Sequence, residues 1–488
     1  MARYVVDCEK EGIPAVGLTF ADQVAFFRNT ALIYGVPEVR RLDVPRTGTG
    51  EERVAQFIDQ TEAALSDPLT DKEKESGLYT PPPPPRIIFE GTLDDAQEFF
   101  QQTTPVATCG NCPIAKYTDG MPIIIPTEDK VAEMLTGTSH SPEEEIKRYN
   151  YDTDTGVYTQ RDTVQTYARA YAATVEKVAV VAVMAGCKPE YMPVVLAVAT
   201  TGGGSTSCPG TSGPSGQGFV VSGPIAKEIG MNAKHEAMDV GNPANNTIAR
   251  SANLITINFG ACTTGISRSD SGNPIRTVAF AEDDDGLPPG WDGYNVERGY
   301  GPRESVLGKV GVRESGMNQY APSSFRGLIG EGYGGMARRI GVEGIEGPHN
   351  YLEYLLPLYT KTCANTVKSG KLLIMHPNMA ISLYDYGFQS KGAVYQWMWD
   401  TYFVTAKEVR EYGWYDFRTS GGTRNEPFSG IPYDELPDDY LLHEHGKNGP
   451  HENCILVCLG GADEVTYVWP AATSENAAPS PYPIDPWR

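Results

Sequence analysis

The sequence predicts an α/β protein, with a partial Rossmann-like half-domain first and a large α/β domain with a mixed or parallel sheet after it. Short apolar runs typical of buried strands alternate with longer segments of helical periodicity along the chain. A run of five prolines, Pro81 to Pro85, separates the first segment from the rest. Because strands that alternate with helices favour parallel neighbours, these observations together predict the α/β class.

The first segment contains two strand-helix units. "IPAVGLT" (residues 13–19) and "EVRRLDV" (38–44) are typical of strands, whereas residues 21–35 and 51–65 have helical periodicity. A doubly wound sheet usually has at least about five strands, so two are too few. The sequence therefore predicts a Rossmann-like half-domain over residues 1–75 whose sheet must be completed by something outside this segment.

A proline-rich linker or arm is predicted at residues 76–106, because a polyproline stretch is stiff and cannot join a helix. Residues 107–488 then form the large α/β domain. Predicted strands lie at 86–91, 219–223, 276–283, 371–377 and 453–461, and predicted helices at 127–137 with Thr127 as cap, at 163–186, and after Cys187.

The composition excludes some functions. A net charge of -22 over 488 residues argues against binding a nucleic-acid backbone, which needs a concentrated basic face. No run of about 18 apolar residues and no signal-like start is present, so a cytoplasmic protein without a membrane span is expected. Nine scattered cysteines, an odd number, favour reduced thiols or metal ligands over a disulfide framework.

Four cysteines are the leading candidates for a metal site. Cys109 and Cys112 form the C-x-x-C pair "CGNC", and Cys208 and Cys262 stand singly among Gly, Ser and Thr. Thiolates that converge from loops with nearby backbone N–H donors suit an iron-sulfur cluster or another thiolate-bound metal such as zinc. Two alternatives stay open: a metal-free redox dithiol in "CGNC", or separate inert thiols.

Three further residues are candidates for catalysis. His349 lies in the turn "EGPHN" beside Glu346, and Asp119 lies in the turn "YTDGMP". Cys187 stands at a predicted helix end in "VMAGCKPEYMP", where buried packing is the alternative. His349 and Asp119 are of types that transfer protons, although a purely turn-stabilising role is open for both.

Glu297 and Arg298 in "NVERGYG" are predicted either to bind an anionic substrate or to pair with each other. The Gly-rich stretch at 200–218 lacks the Lys-Ser/Thr ending of a P-loop, so a nucleotide cradle is disfavoured there.

Several phrases, in order, resemble the uncharacterised family of (seleno)proteins named after its UGSC motif. They are "VVDCEKEGIPAVGLTFADQVAFF", "YTDGMPIIIPTEDKVAEML", "TVEKVAVVAVMAGCKPEYMPVVLAV", "VSGPIAKEIGMN", "GNPANNTIAR", "YNVERGYGP" and "EGPHN". The resemblance covers roughly residues 1–70 and 115–350, but the motif itself is missing. It implies that a separate subunit supplies the missing part of the first unit.

The family's motif region in turn resembles the selenoprotein subunits of glycine-reductase-type enzymes, in which a selenol or thiol cleaves a carbon-heteroatom bond. With the cysteines above, this predicts one subunit of a heteromeric lyase or oxidoreductase. The expected reaction on a small molecule is elimination, hydration or reductive carbon-heteroatom cleavage. A dithiol reductase, and a structural zinc-binding subunit of a selenol or thiol enzyme, are the alternatives.

Overall fold

A computed structural model describes most of the chain, with gaps. The described residues are 2–20, 24, 27–28, 31, 35–45, 50–75, 85–106, 110–152, 157–163, 165–166, 171–201, 215–260, 277–313, 371–385, 387–401, 403–411, 429–432, 435–443, 454–461, 468–472 and 481–488.

The fold is α/β, as predicted, with both parallel and antiparallel strand pairs. The helices are α1 (Ala2–Lys10), α2 (Gly50–Ser66), α3 (Leu93–Phe100), α4 (Glu128–Leu135), α5 (Val175–Ala185), α6 (Met192–Thr200), α7 (Pro224–Glu228), α8 (Pro243–Asn258), α9 (Tyr294–Glu297), α10 (Pro377–Asp385), α11 (Lys391–Thr401) and α12 (Ala406–Glu411). The strands are β1 (Gly17–Phe20), β2 (Arg41–Val44), β3 (Thr103–Val106), β4 (Cys112–Ala115), β5 (Lys147–Asp152), β6 (Val157–Thr163), β7 (Gln165–Thr166), β8 (Tyr171–Ala172), β9 (Ser215–Ser222), β10 (Thr277–Ala281), β11 (Val306–Arg313), β12 (Lys371–Met375), β13 (Phe403–Thr405), β14 (Leu441–His443), β15 (Cys454–Cys458), β16 (Val468–Ala472) and β17 (Tyr482–Pro483).

Two sheets form the centre of the large domain. One has the order β10-β9-β11-β17, in which β10 and β9 are parallel and the other pairs antiparallel. The other has the order β15-β12-β16, in which β12 runs parallel to β15 and antiparallel to β16. The predicted strands at 219–223, 276–283, 371–377 and 453–461 all lie in these sheets.

Strand β9 is buried on both faces. Phe219 and Val221 pack into the main core with α5, α6 and α8, whereas Val220 packs on the opposite face against Ile374 and Ile455 of the second sheet. Because successive side chains of a strand point to opposite faces, a run of apolar residues serves both layers. The first sheet therefore lies between a helical layer and the second sheet.

Local sequence features determine where helix α5 of the helical layer begins and ends. The Thr174 hydroxyl accepts a hydrogen bond from the Lys177 amide at the start of α5, and Gly186 ends the helix with a left-handed φ of 88°. The predicted helix over 163–186 is therefore wrong in its first half, where β7 and β8 lie. Ala and Tyr in this first half are spaced at helical intervals, which is why the sequence predicted a helix there. The helix begins only after the cap at Thr174.

The predicted strand at 86–91 is also absent, although this segment is described. Ile87 and Ile88 are exposed, and the Arg86 side chain binds the carboxylates of Glu128 and Glu176. The segment lies on the surface just before α3. Its run of apolar residues resembles that of a buried strand, which is why the sequence predicted one. The helix capped by Thr127 is confirmed as α4.

The hairpin of β3 and β4 crosses the predicted boundary between residues 106 and 107. Phe100, at the end of α3, packs in the main core. Residues 93–106 are therefore continuous with the large domain in packing.

The amino-terminal unit contains a parallel pair, β1 and β2, in the register Gly17 with Arg41. A small cluster formed by Val5, Val6, Phe27, Ala31, Val36 and Val39 packs there. Within the described stretches β1 and β2 pair only with each other, so this sheet has two strands.

Among the helices of the described stretches, none has both the length and the apolar character needed to cross a bilayer.

Candidate functional site

Cys112 lies at the turn of a β-hairpin. It is the half-buried first residue of β4, and it pairs with Val106 of β3. Gly110 and Asn111 before it have left-handed φ angles of 72° and 63°, and the Asn111 amide donates to the Val106 carbonyl over 3.0 Å. Cys112 therefore begins a strand and does not stand at the start of a helix. Cys109 lies outside the described residues.

The segments that carry Cys208 and Cys262 are each followed by a strand of the first sheet. Both cysteines lie outside the described residues, but the strands that follow them are β9 and β10. These strands are parallel neighbours, and Gln217 is in register with Thr277. The two segments therefore lead to the same amino-terminal edge of the first sheet.

The chain that follows the Cys112 hairpin contacts the end of α8, and Asn253 of the same helix accepts a hydrogen bond from Thr277 at the start of β10 over 2.7 Å. The Asn258 side-chain amide, at the end of α8, donates to the Tyr117 carbonyl over 3.1 Å. Cys262 follows Asn258 by four residues, and Cys112 precedes Tyr117 by five. Extended chain of these lengths spans at most about 13 and 17 Å, which sets the upper limit on how far each cysteine lies from this contact.

Two candidate catalytic residues, Asp119 and Cys187, lie against the same helix. Arg250 of α8 binds Asp119 through two hydrogen bonds of 2.9 and 3.0 Å and also donates to the Pro122 carbonyl over 2.8 Å. Burial raises the pKa of the Cys187 thiol to about 12, although a hydrogen bond with Thr247 and the charge of Arg250 oppose the shift. Cys187 is therefore protonated at neutral pH, and both Asp119 oxygens are engaged by Arg250.

His349 lies outside the described residues, so its role stays a prediction. In the part of the chain that the structure describes, no group of three or more His, Cys, Asp or Glu converges as metal ligands do. Cys109, Cys208 and Cys262 lie outside the described residues, so the four-cysteine site also stays a prediction.

A buried charged cluster lies at the opposite edge of the sheet, and the sequence-based prediction missed it. The ammonium of Lys391 lies 2.6 Å from Glu282 Oε1 and 3.9 Å from Glu297 Oε2, and the side chains of Lys391 and Glu282 are only 1% and 0% exposed. Burial alone would lower the pKa of Lys391, but the two carboxylates raise it overall. Lys391 therefore keeps its charge inside the protein.

Backbone groups at the carboxyl ends of the strands hold Glu282 in place. The Tyr294 amide donates to Glu282 Oε2 over 2.7 Å, and the Cys458 amide donates to Oε1 over 3.3 Å. The Asp283 amide donates to the Cys458 carbonyl over 2.8 Å, which joins the end of β10 to the end of β15. The acidic residues directly after a strand in "AFAEDDDG" could have indicated Glu282 as a site residue. No local sequence pattern indicated its partner Lys391, which is 109 residues away.

Glu297 and Arg298 form an ion pair with each other, which was one of the two predicted outcomes. Arg298 Nη2 lies 3.5 Å from Glu297 Oε1, and the guanidinium stands 5.4 Å from the centre of the Tyr294 ring. Both side chains are largely buried, so they form part of the cluster around Lys391.

Comparison with protein-family models, with curated proteins and with solved structures finds no match for this chain.

Proposed function

We propose that the chain binds an iron-sulfur cluster or another thiolate-held metal through Cys109, Cys112, Cys208 and Cys262, and serves as one subunit of a cytoplasmic heteromeric enzyme. The main support is topological. The segments of Cys208 and Cys262 lead into adjacent parallel strands at one edge, where the end of α8 contacts Tyr117 just beyond the Cys112 hairpin.

The conformation at Cys112 favours a metal over a dithiol. Redox C-x-x-C pairs gain a low thiolate pKa from a helix amino terminus, whereas Cys112 begins strand β4. A hairpin turn instead directs two thiolates to one point and leaves backbone N–H groups to donate to sulfur. The donor set, four thiols set among Gly, Ser and Thr, suits iron-sulfur or zinc.

When bound, such a centre supplies a Lewis acid or electrons for elimination, hydration or reductive carbon-heteroatom cleavage of a small molecule. Asp119 acts by positioning, because it holds Arg250 with both oxygens and so fixes the turn beside α8. His349 is proposed to move the proton. Cys187 remains protonated and is buried in the main core.

The test is the metal and acid-labile sulfide content of each chain, measured with the visible absorbance spectrum. The protein is purified without oxygen and without a histidine tag. Cys112→Ser and Cys208→Ser are compared with Cys8→Ser, a matched control because Cys8 is a half-buried cysteine in α1 of the other unit. The proposal expects near-stoichiometric metal in the wild type and in Cys8→Ser, and its loss in both of the other variants.

Other outcomes discriminate the alternatives. Iron with sulfide supports a cluster enzyme, and zinc alone supports a structural site with chemistry in the partner. A wild type without metal contradicts the proposal and favours the "CGNC" dithiol. In that case Cys208→Ser leaves thiol-dependent reduction unchanged and Cys112→Ser abolishes it.

A further inference from the structure

Helix α2 has an unusual environment for a helix of its length. None of its described side chains is buried over 17 residues, and only Phe57, Thr61 and Ala64 are half-buried. Most helical stability in proteins comes from packing an apolar face, because isolated helices of this length are marginal in water. Another contribution must hold α2 in place.

Arg40 supplies that contribution from the end of the helix. Its guanidinium donates to the carbonyls of Ala64 and Asp67 over 2.6 and 2.7 Å and binds the Glu73 carboxylate over 2.9 Å. The hydrogen bond with Arg40 lowers the pKa of Glu73 to about 2. A cation at the carboxyl end of a helix donates hydrogen bonds to the last carbonyls and interacts favourably with the negative end of the helix dipole. Helix α2 is thus fastened at one end, while the sides away from Phe57, Thr61 and Ala64 stay open.

An apolar stripe runs along one of these open sides. Val54, Ile58 and Leu65 are 62%, 53% and 40% exposed. At 100° per residue the three lie within about 40° of one another, so they form a row along one side of the helix, here called the α2 stripe. Such a row on a soluble protein marks an interaction surface.

The neighbouring sheet is open as well. Gly17 of β1 lies so close to the Phe27 ring that an added Cβ would be 2.1 Å from it, which shows that this face is covered. Leu18 points to the opposite face and is 45% exposed. Parallel sheets are normally covered on both faces, whereas the described residues leave Leu18 largely open to solvent.

We propose that the α2 stripe docks a separate protein subunit whose contact surface is apolar and bordered by Lys and Arg. Glu51 and Glu62 border one side of the stripe, within about 60° of its centre on the helix, and Asp59 and Glu52 follow further round on that side. Two copies of this acidic face would repel each other, whereas a basic rim would complement it. The occupant is therefore a different protein and not a second copy of this chain.

This inference deepens the subunit part of the proposed function and does not depend on the metal. Metal content per chain, measured on the same preparations, reports the other part separately. Loss of docking with metal retained is the pattern expected of substitutions in the α2 stripe.

The test is site-specific photo-crosslinking of the full chain in its source cells. A benzophenone amino acid replaces Ile58 on the stripe or Gln56, which is exposed on the opposite side of the same helix. We expect one adduct from position 58, with a single distinct protein whose crosslinked peptide is apolar and flanked by Lys or Arg, and none from position 56. Leu65→Glu, combined with the crosslinker at position 58, lowers the adduct yield by at least about tenfold, because a charge is then buried in the contact.

Glu51→Gln together with Glu62→Gln tests the charge complementarity, since it weakens the adduct at low salt and removes its salt dependence. Three results overturn the proposal: an adduct between two copies of this chain, equal adducts from positions 56 and 58, or no adduct from position 58. A crosslinked peptide without basic residues overturns the stated chemistry of the partner.

Discussion

Two kinds of ion pair occur among the residues described above, and their energies differ because their solvent exposure differs. The Lys391–Glu282 pair is fully buried and is supported by backbone N–H donors. The Arg41–Asp43 pair on β2 is partly solvated, with 21% and 43% of the side chains exposed. Water screens exposed pairs, whereas a buried charge without its partner is strongly unfavourable.

Lys391→Met is expected to lower the free energy of unfolding by about 3 to 5 kcal/mol, because Glu282 is then buried without its partner. The double variant Lys391→Met with Glu282→Gln is expected to recover much of that loss, since it removes both charges and keeps an oxygen that accepts from the Tyr294 amide. Urea denaturation of the three proteins measures this. A double variant no more stable than the single one would contradict the explanation.

Arg250→Lys is expected to destabilise the protein by about 1 to 3 kcal/mol, because a lysine cannot make the bidentate contact with Asp119 or also reach the Pro122 carbonyl. Arg41→Lys is the matched control and should cost at most about 1 kcal/mol. Equal losses in the two variants, measured by the same denaturation, would show that Arg250 has no special anchoring role.

At the level of elements, strands bounded by turns were the most predictable features. β9, β10, β12 and β15 follow from apolar runs, and the start of α4 follows from Thr127. The stretch at 86–91 was not predictable, because its apolar residues lie on the surface where Arg86 is held by two glutamates. The periodicity of a sequence indicates which secondary structure its residues favour. Long-range contacts decide whether that structure forms.

The candidate sites show the same limit. The parallel pairing of β9 and β10 supports the proposed site at Cys208 and Cys262, but sequence spacing alone could not supply that pairing. The pairing of Asp119 with Arg250 joins residues 131 positions apart, and no local pattern encodes such a distance.

The contacts of Arg40 at the end of helix α2 lead to a prediction about local unfolding of that helix. Arg40→Met removes the cation that binds the Ala64 and Asp67 carbonyls, so α2 should open locally. We expect amide hydrogen exchange across α2 to accelerate at least about tenfold, with exchange in the buried helix α5 unchanged. Arg28→Met is the control, because Arg28 makes an exposed 3.5 Å contact with Glu38 in the same unit. Acceleration in α5 as well would indicate global unfolding instead.

At the level of the whole molecule, residues 481–488 connect distant parts of the large domain. β17 pairs with β11, and the Ile484 amide donates to the Ser305 carbonyl over 2.9 Å. The Thr138 hydroxyl donates to the Trp487 carbonyl over 2.7 Å, across 349 positions of sequence. This segment therefore joins the first sheet to the loop after α4.

His140 makes this connection dependent on pH. Its Nδ1 lies 2.9 Å from Glu144 Oε2 and its Nε2 lies 2.6 Å from the Pro486 carbonyl oxygen, and its ring is 4.7 Å from the Trp487 ring. Both partners accept hydrogen bonds, so both ring nitrogens donate only when the imidazole is protonated. Burial lowers the pKa of His140, but the hydrogen bonds to Pro486 and Glu144 outweigh it and raise the pKa above the ordinary 6.5.

A group whose folded-state pKa is raised contributes stability that is complete below the unfolded pKa and is lost as the pH rises through the folded pKa. The wild type should therefore exceed His140→Gln in free energy of unfolding most at about pH 5.5, and the difference should shrink steadily toward about pH 8. Glutamine keeps a donor for one acceptor but carries no charge, so the remaining difference at high pH measures the neutral contact alone.

Urea denaturation at each pH, with hydrogen exchange of residues 481–488, measures both the energy and its location. A difference that stays constant from pH 5.5 to about 8 would mean that the imidazole holds this segment in its neutral form, so that packing on Trp487, and not the imidazolium, joins the two parts of the domain.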